Sequence, residues 1–130
     1  MDAYQLLIVE DEPNTSTMLQ EFFSQQGYKV RTADRGEEAI AQCQQSLPDL
    51  ILLNVQLPDM SGHEVYSRIQ QQPDAEHTAV IFVTTDQGRD DKLTGLQLGA
   101  VDYMTKPLDM EELQLRVRNT LQQFKQSPRR

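Results

Sequence analysis

The sequence predicts an α/β fold: a doubly wound, five-stranded parallel sheet in the order 2-1-3-4-5, flavodoxin-like, with five helices. Three observations predict it. Strand-like runs and helix-period stretches alternate five times along the chain. The first, third and fourth runs are nearly continuous apolar segments, as expected when helices cover both faces of a parallel sheet. Glycines and capping residues mark the switches between the two periods. Strand–helix alternation with right-handed crossovers then gives the doubly wound arrangement.

Taken in order, "QLLIV" (Gln5–Val9) is the first strand, and Pro13–Gln26 the first helix, with Met18, Leu19, Phe22 and Phe23 on one stripe. Tyr28–Ala33 is the second strand. Glu37–Ser46 follows as a helix that turns Ala39, Ile40 and Cys43 inward. Asp49–Leu53 is the third strand, and Gly62–Gln72 a helix that buries Val65, Tyr66 and Ile69. Ala79–Thr84 is the fourth strand, followed by a helix over Asp90–Leu98 carrying Leu93 and Leu96. Val101–Thr105 is the fifth strand. The last helix, Met110–Phe124, repeats Leu113, Val117, Leu121 and Phe124 at helical spacing. Ser61-x-x-Glu64 has capping-box form, and Asp109-x-x-Glu112 matches it with Asp as cap. Gly27 and Gly99 stand where helices stop.

The chain has 130 residues, the size of one domain. Residues 1–124 form it, and 125–130 read as a tail or the start of a linker. The formal charge of −8 argues against nucleic acid or an anionic membrane as a direct partner, since phosphates would be repelled. No apolar run approaches a membrane span. The acidic N-terminus lacks the basic region of a signal peptide. Cys43 is the only cysteine, which excludes an internal disulfide and fits a reducing, cytoplasmic setting.

In open α/β sheets ligands bind beyond the carboxyl ends of the strands. Glu10, Asp11 and Glu12 follow the first strand, Asn54 ends the third, Thr84 and Thr85 end the fourth, and Lys106 and Pro107 follow the fifth. These groups converge if the strand order holds. Acids with carbonyl oxygens suit a hard cation such as Mg²⁺, and a lysine and a hydroxyl suit a phosphoryl group. An aspartate here could attack phosphorus. Asn54 is a neutral amide and a poor nucleophile. The bland reading of the first-loop acids is helix capping, where negative charge is favourable anyway. His63 and His77 lack metal-ligand spacing and read as solvated.

Four motifs in order carry a family resemblance: "VEDE" at Val9–Glu12, "DLILLNVQLPDMSG" at Asp49–Gly62, "FVTT" at Phe82–Thr85 and "LGAVDYMTKPLD" at Leu98–Asp109. Over about residues 5–124 the chain resembles the receiver domain of bacterial two-component response regulators, with Asn54 in place of the phosphoacceptor Asp. The resemblance implies that Glu10, Asp11, position 54 and the backbone carbonyl of Gln56 hold Mg²⁺. It implies that Thr84 and Lys106 contact the phosphoryl group, that Tyr103 swings inward on activation, and that Lys106–Pro107 is a cis peptide. A histidine kinase or phosphotransfer protein would be the phosphate donor, and an output domain in cis a further partner.

Asn54 makes the chain either a natural pseudo-receiver or a working receiver whose aspartate was replaced recently or by design. The intact surroundings of Asn54 favour replacement, because a silent pocket is free to drift. Such a chain would rest in the inactive state or act without phosphate. Weaker Mg²⁺ binding follows from the missing charge. In the winged-helix class, receivers pair through the fourth helix, fifth strand and fifth helix; the matching ion pairs here would be Lys92 with Glu112 and Asp102 with Arg116. The enzyme alternative, a Mg²⁺-dependent phosphatase with an aspartyl nucleophile, needs Asp-x-Asp after the first strand, where the chain has "EDE". A flavodoxin-like flavin carrier needs a hydroxyl-rich phosphate loop where "EDEPNTST" is acidic. The chain is therefore read as a switching module and not as an enzyme.

Overall fold

The structure is a computed structural model that describes residues 3–85 and 102–126. Five parallel strands form one sheet in the order β2-β1-β3-β4-β5: β1 (Gln5–Val9), β2 (Lys29–Ala33), β3 (Leu50–Asn54), β4 (Ala79–Thr84) and β5 (Asp102–Thr105). Among the described residues there are four helices, α1 (Pro13–Gln25), α2 (Gly36–Gln45), α3 (Gly62–Ile69) and α4 (Met110–Gln126), and a 3₁₀ turn at Ala75–His77. The helix expected over Asp90–Leu98, and Gly99, lie outside the described residues.

The pleat divides the apolar runs between two cores. Leu7, Val9, Ile51, Leu53, Val80 and Phe82 point to one face, where α2 and α3 bring Ala39, Ile40, Cys43, Val65, Tyr66 and Ile69. Leu6, Ile8, Leu50, Leu52, Ala79 and Ile81 point to the other, against Leu19 and Phe23 of α1 and Leu113, Val117 and Leu121 of α4. Every residue of β3 and β4 is buried, which explains why those strands read as unbroken apolar runs. Met18 departs from expectation. It is 45% exposed, because Leu19 and Phe23, four apart, set the inward face of α1 and Met18 falls beside it.

The helix ends follow local chemistry. Ser61 Oγ accepts the Glu64 N–H at 3.1 Å, and Asp109 Oδ1 accepts the Glu112 N–H at 3.1 Å, so both residues cap as the sequence suggests, while the Glu64 and Glu112 carboxylates pair with Arg68 and Arg116 four residues on. Gly27 ends α1 at φ +97°, where a side chain would be strained. Gly62 is required for a different reason: a Cβ there would overlap the Asn54 carbonyl oxygen. The turn after β3 therefore closes tightly on the strand end, and the Gly62 N–H donates to the Val55 carbonyl at 2.8 Å. The Lys106–Pro107 peptide bond is cis, as the resemblance implies.

Candidate functional site

The carboxyl ends of β1, β3, β4 and β5 meet around one acidic cup. Glu10 extends β1 by one bond, its N–H donating to the Ala33 carbonyl at 3.0 Å. Its side chain turns inward and the residue is only 3% exposed. Oε2 accepts the Glu12 N–H at 3.0 Å, and Oε1 accepts from the Lys106 ammonium at 2.8 Å. That ion pair joins residues 96 apart in sequence. A carboxylate so buried needs a cation, and the strand order delivers Lys106 to it.

Asp11 stands exposed at the tip of the first loop. Asn54, 6% exposed, ends β3 opposite Val83, and its Nδ2 lies 3.5 Å from Asp11 Oδ1, at the long limit of a hydrogen bond. Glu12 does what the bland reading expects of an acid there. It caps α1, accepting from the Thr15 N–H at 2.7 Å, the Thr15 hydroxyl at 2.7 Å and the Asn14 N–H at 3.2 Å. The Thr15 hydroxyl, then the two backbone N–H groups, hold its carboxyl below the usual range. The cup thus contains two carboxylates, Glu10 and Asp11, one ammonium and one amide. Its formal charge is −1, where a carboxylate at position 54 would make it −2. An open cleft of about 380 Å³ adjoins it, lined by Glu10, Asp11, Ser16, Thr17, Asp34 and Glu38.

Thr84 is fully buried at the end of β4, and its carbonyl accepts the Lys106 N–H at 2.7 Å. Tyr103 sits on β5 opposite Phe82, 8% exposed, with ring centroids 5.8 Å apart, so its ring already lies inside the core. His63, expected to be solvated, is half-buried edge-on against Phe82 at 4.9 Å.

Two participants escape a reading of the sequence. The first is the Gln56 side chain. Only its carbonyl is implied by the resemblance, yet its amide reaches Thr84 Oγ1 at 2.7 Å. The parallel β3–β4 register, with Asn54 opposite Val83, is the signal that could have placed it there. The second is Asp59, whose carboxylate accepts the Gly36 and Glu37 N–H groups at 2.8 and 2.9 Å. It caps α2 from a different loop, where Arg35 makes no side-chain cap, and these two bonds lower its carboxyl.

On the far edge, Arg116 pairs within its own chain, with Asp102 and with Glu112. The bond to Asp102, then that to Glu112, raises its already high proton affinity. Lys92, the expected partner of Glu112, lies outside the described residues. Among the described residues, three potential metal-ligating side chains converge at Asp74, Glu76 and His77, in the turn before β4 and away from the cup. No described helix is long and apolar enough to cross a membrane.

Comparison with known proteins agrees with this geometry. The response regulator receiver domain family matches residues 6–118. The transcriptional regulatory protein TorR of the TorCAD operon in Escherichia coli K12 is 39% identical over 91% of this chain and 50% of its own length. PhoP of Bacillus subtilis, the alkaline phosphatase synthesis regulator, is 40% identical over 90% of this chain and 48% of its own. The chain thus spans about half the length of these relatives. Among solved structures, the receiver domain of the sensor histidine kinase PA1611 of Pseudomonas aeruginosa, with magnesium coordinated in its active-site cleft, superposes with a TM-score of 0.84 at 27% identity, covering 92% of this chain and 98% of that one. The BeF3-activated receiver domain of DrrB superposes at 0.82 with 31% identity, covering 92% and 98%.

Proposed function

The chain belongs to the response regulator receiver domain family, and from that premise we propose that it is a phosphorelay signalling module that cannot accept phosphate at Asn54. The observation that carries this reading is the seat of Asn54: it occupies the centre of the cup, beside Asp11, with Glu10 and Lys106 paired alongside. An acyl phosphate needs a carboxylate oxygen to attack phosphorus. An amide offers neither the charge nor a stable product. Lys106 and Thr84, the groups the resemblance assigns to a phosphoryl group, stand at the ends of β5 and β4 on the same edge of the sheet, which supports the reading.

The donor set suits Mg²⁺. Glu10 and Asp11 supply carboxylate oxygens, and the Asn54 amide oxygen and the Gln56 carbonyl would complete the protein's share, with waters filling the rest. When bound, the cation neutralises charge on a phosphoryl group. Its entry here meets two obstacles. Glu10 Oε1 is already held by an ammonium, and the cup carries one negative charge fewer than it would with an aspartate at position 54. Both weaken capture.

The proposed partners are a histidine kinase or phosphotransfer protein, for the Asn54→Asp version of the chain, and an output domain in cis. The half-length match to transcriptional regulators supports the latter. The inward, buried ring of Tyr103 supports use without phosphate. Phosphate acts on such a domain by shifting a population between two states, and the inward state is compatible with the neutral amide. Incubation with acetyl phosphate followed by intact-mass spectrometry tests the proposal. The chain is expected to stay unmodified, and the Asn54→Asp protein to gain one phosphoryl group. Modification of the Asn54 protein would overturn it.

A further inference from the structure

The parallel register of β3 and β4 places Asn54 opposite Val83, so the chain two residues on overhangs the end of β4. Gln56 stands there and spans the Thr84–Thr85 step. Its Oε1 accepts from the Thr85 N–H at 3.3 Å and lies 3.5 Å from the Thr85 hydroxyl. Its Nε2 donates to Thr84 Oγ1 at 2.7 Å. Chemistry fixes which end of the amide faces which residue. A backbone N–H can only donate, so the carbonyl end must face Thr85 and the NH₂ end Thr84. The Thr84 hydroxyl is therefore an acceptor toward Gln56. A hydroxyl has one proton, and that proton is directed to an acceptor other than Gln56.

The surrounding backbone holds this arrangement. The Val55 N–H donates to the Val83 carbonyl at 2.8 Å, and Gln56 forms a β-bridge with Ser61 across the tight turn. The Lys106 N–H fixes the Thr84 carbonyl from the other side at 2.7 Å. Thr84 is fully buried, so water does not compete for its hydroxyl.

We propose that Gln56 is a positioning residue: its amide turns the Thr84 hydroxyl into a donor for a phosphoryl-type oxyanion in the cup, one that an aspartate at position 54 would hold. The inference rests on the receiver reading above and adds to it a side chain that acts through Thr84. It makes a chemical distinction. An alanine at 56 would remove the donor that sets the hydroxyl's direction. A glutamate would accept the Thr84 proton, reverse the hydroxyl, and add negative charge beside the anion.

The test uses beryllofluoride, the phosphoryl analogue present in the related activated DrrB structure, titrated in saturating Mg²⁺ and followed by amide chemical shifts. The Asn54→Asp protein is compared with versions that also carry Gln56→Ala, Gln56→Glu, Thr84→Ala, or Gln56→Ala with Thr84→Ala. Thermal melts confirm that each is folded. Thr84→Ala is expected to raise the half-saturating concentration about tenfold, as one lost charge-assisted hydrogen bond implies. Gln56→Ala should approach that value, because the undirected hydroxyl forfeits most of that bond, and Gln56→Glu should raise it further. In the Thr84→Ala background, Gln56→Ala should change it less than about twofold, because the side chain it acts through is gone. An equal effect of Gln56→Ala with and without Thr84, no effect at all, or binding by the Gln56→Glu protein as tight as its parent would overturn the inference alone. If the folded Asn54→Asp protein binds no beryllofluoride, the receiver reading and the inference both fall.

Discussion

The Lys106 ammonium lies 2.8 Å from Glu10 Oε1, across the ends of β5 and β1, with side-chain exposures of 21% and 2%. Folding alone produces this contact: no local pattern links residues 96 apart. The lysine neutralises a carboxylate that the fold has taken out of water.

Removing that cation strands the carboxylate. Lys106→Met is expected to destabilise the protein by about 1–3 kcal/mol, less than for a fully buried pair because the lysine keeps some solvent contact. Urea denaturation with and without Mg²⁺ measures it, and the variant should recover more stability from Mg²⁺ than the parent does. A variant as stable as the parent in metal-free buffer would show that Glu10 does not depend on Lys106.

Gly62→Ala drives a methyl into the Asn54 carbonyl. The backbone must move, and the expected loss is about 1–3 kcal/mol in a thermal or chemical melt. Shifts of the Asn54 side-chain amide resonances should accompany it. A neutral substitution would mean that the turn after β3 is looser than the structure has it.

Asp59 gives α2 a pH-dependent cap. Its carboxyl sits below the ordinary 3.8 because the Glu37 and Gly36 N–H groups bond the charged form. The sign follows: this contribution is present above pH 3.8 and is lost as pH falls through the lowered folded value. Asp59→Ala should therefore melt at a lower temperature than the parent at about pH 6, with the gap narrowing in acid. A gap constant down to about pH 2 would contradict the assignment.

Cys43 is buried on the sheet-facing side of α2, and burial pushes its thiol up to about 11. The neutral thiol is favoured in the fold, so the associated stability is complete below 9.0 and declines as pH rises toward about 11. Iodoacetamide at about pH 8 should leave the native protein unmodified over hours and alkylate it promptly in urea, as read by mass spectrometry. Rapid native alkylation would contradict the placement.

The Asp102–Arg116 pair forms within one chain, so a symmetric dimer that uses these residues must exchange an internal pair for a crossed one. We therefore expect a weak dimer. Light scattering over a concentration series should show a monomer with association only at high concentration, abolished by Arg116→Glu. A dimer of equal strength in that variant would place the interface elsewhere.

Strand order, both cores and the convergence of Glu10, Asp11, Asn54 and Lys106 were legible because they rest on periodicity and motif spacing. β4 occupies Ala79–Thr84 as the apolar run predicts. What was not legible depends on contacts between loops. The polar Gln56 says nothing locally of Thr84, and Asp59 follows a proline in a turn with no hint that α2 lacks a cap of its own. Met18 is apolar and adjacent to the buried stripe, and only the helix's rotation against the sheet decides that it faces water.

Paired Mg²⁺ titrations of this protein and its Asn54→Asp version, by calorimetry, test most directly whether the cup's centre lacks a negative oxygen. One carboxylate about 4 Å from a divalent ion is worth about 2 kcal/mol even in bulk water, so the Asn54→Asp protein should bind at least about tenfold more tightly. Equal affinity, or tighter binding by the Asn54 protein, would contradict the account.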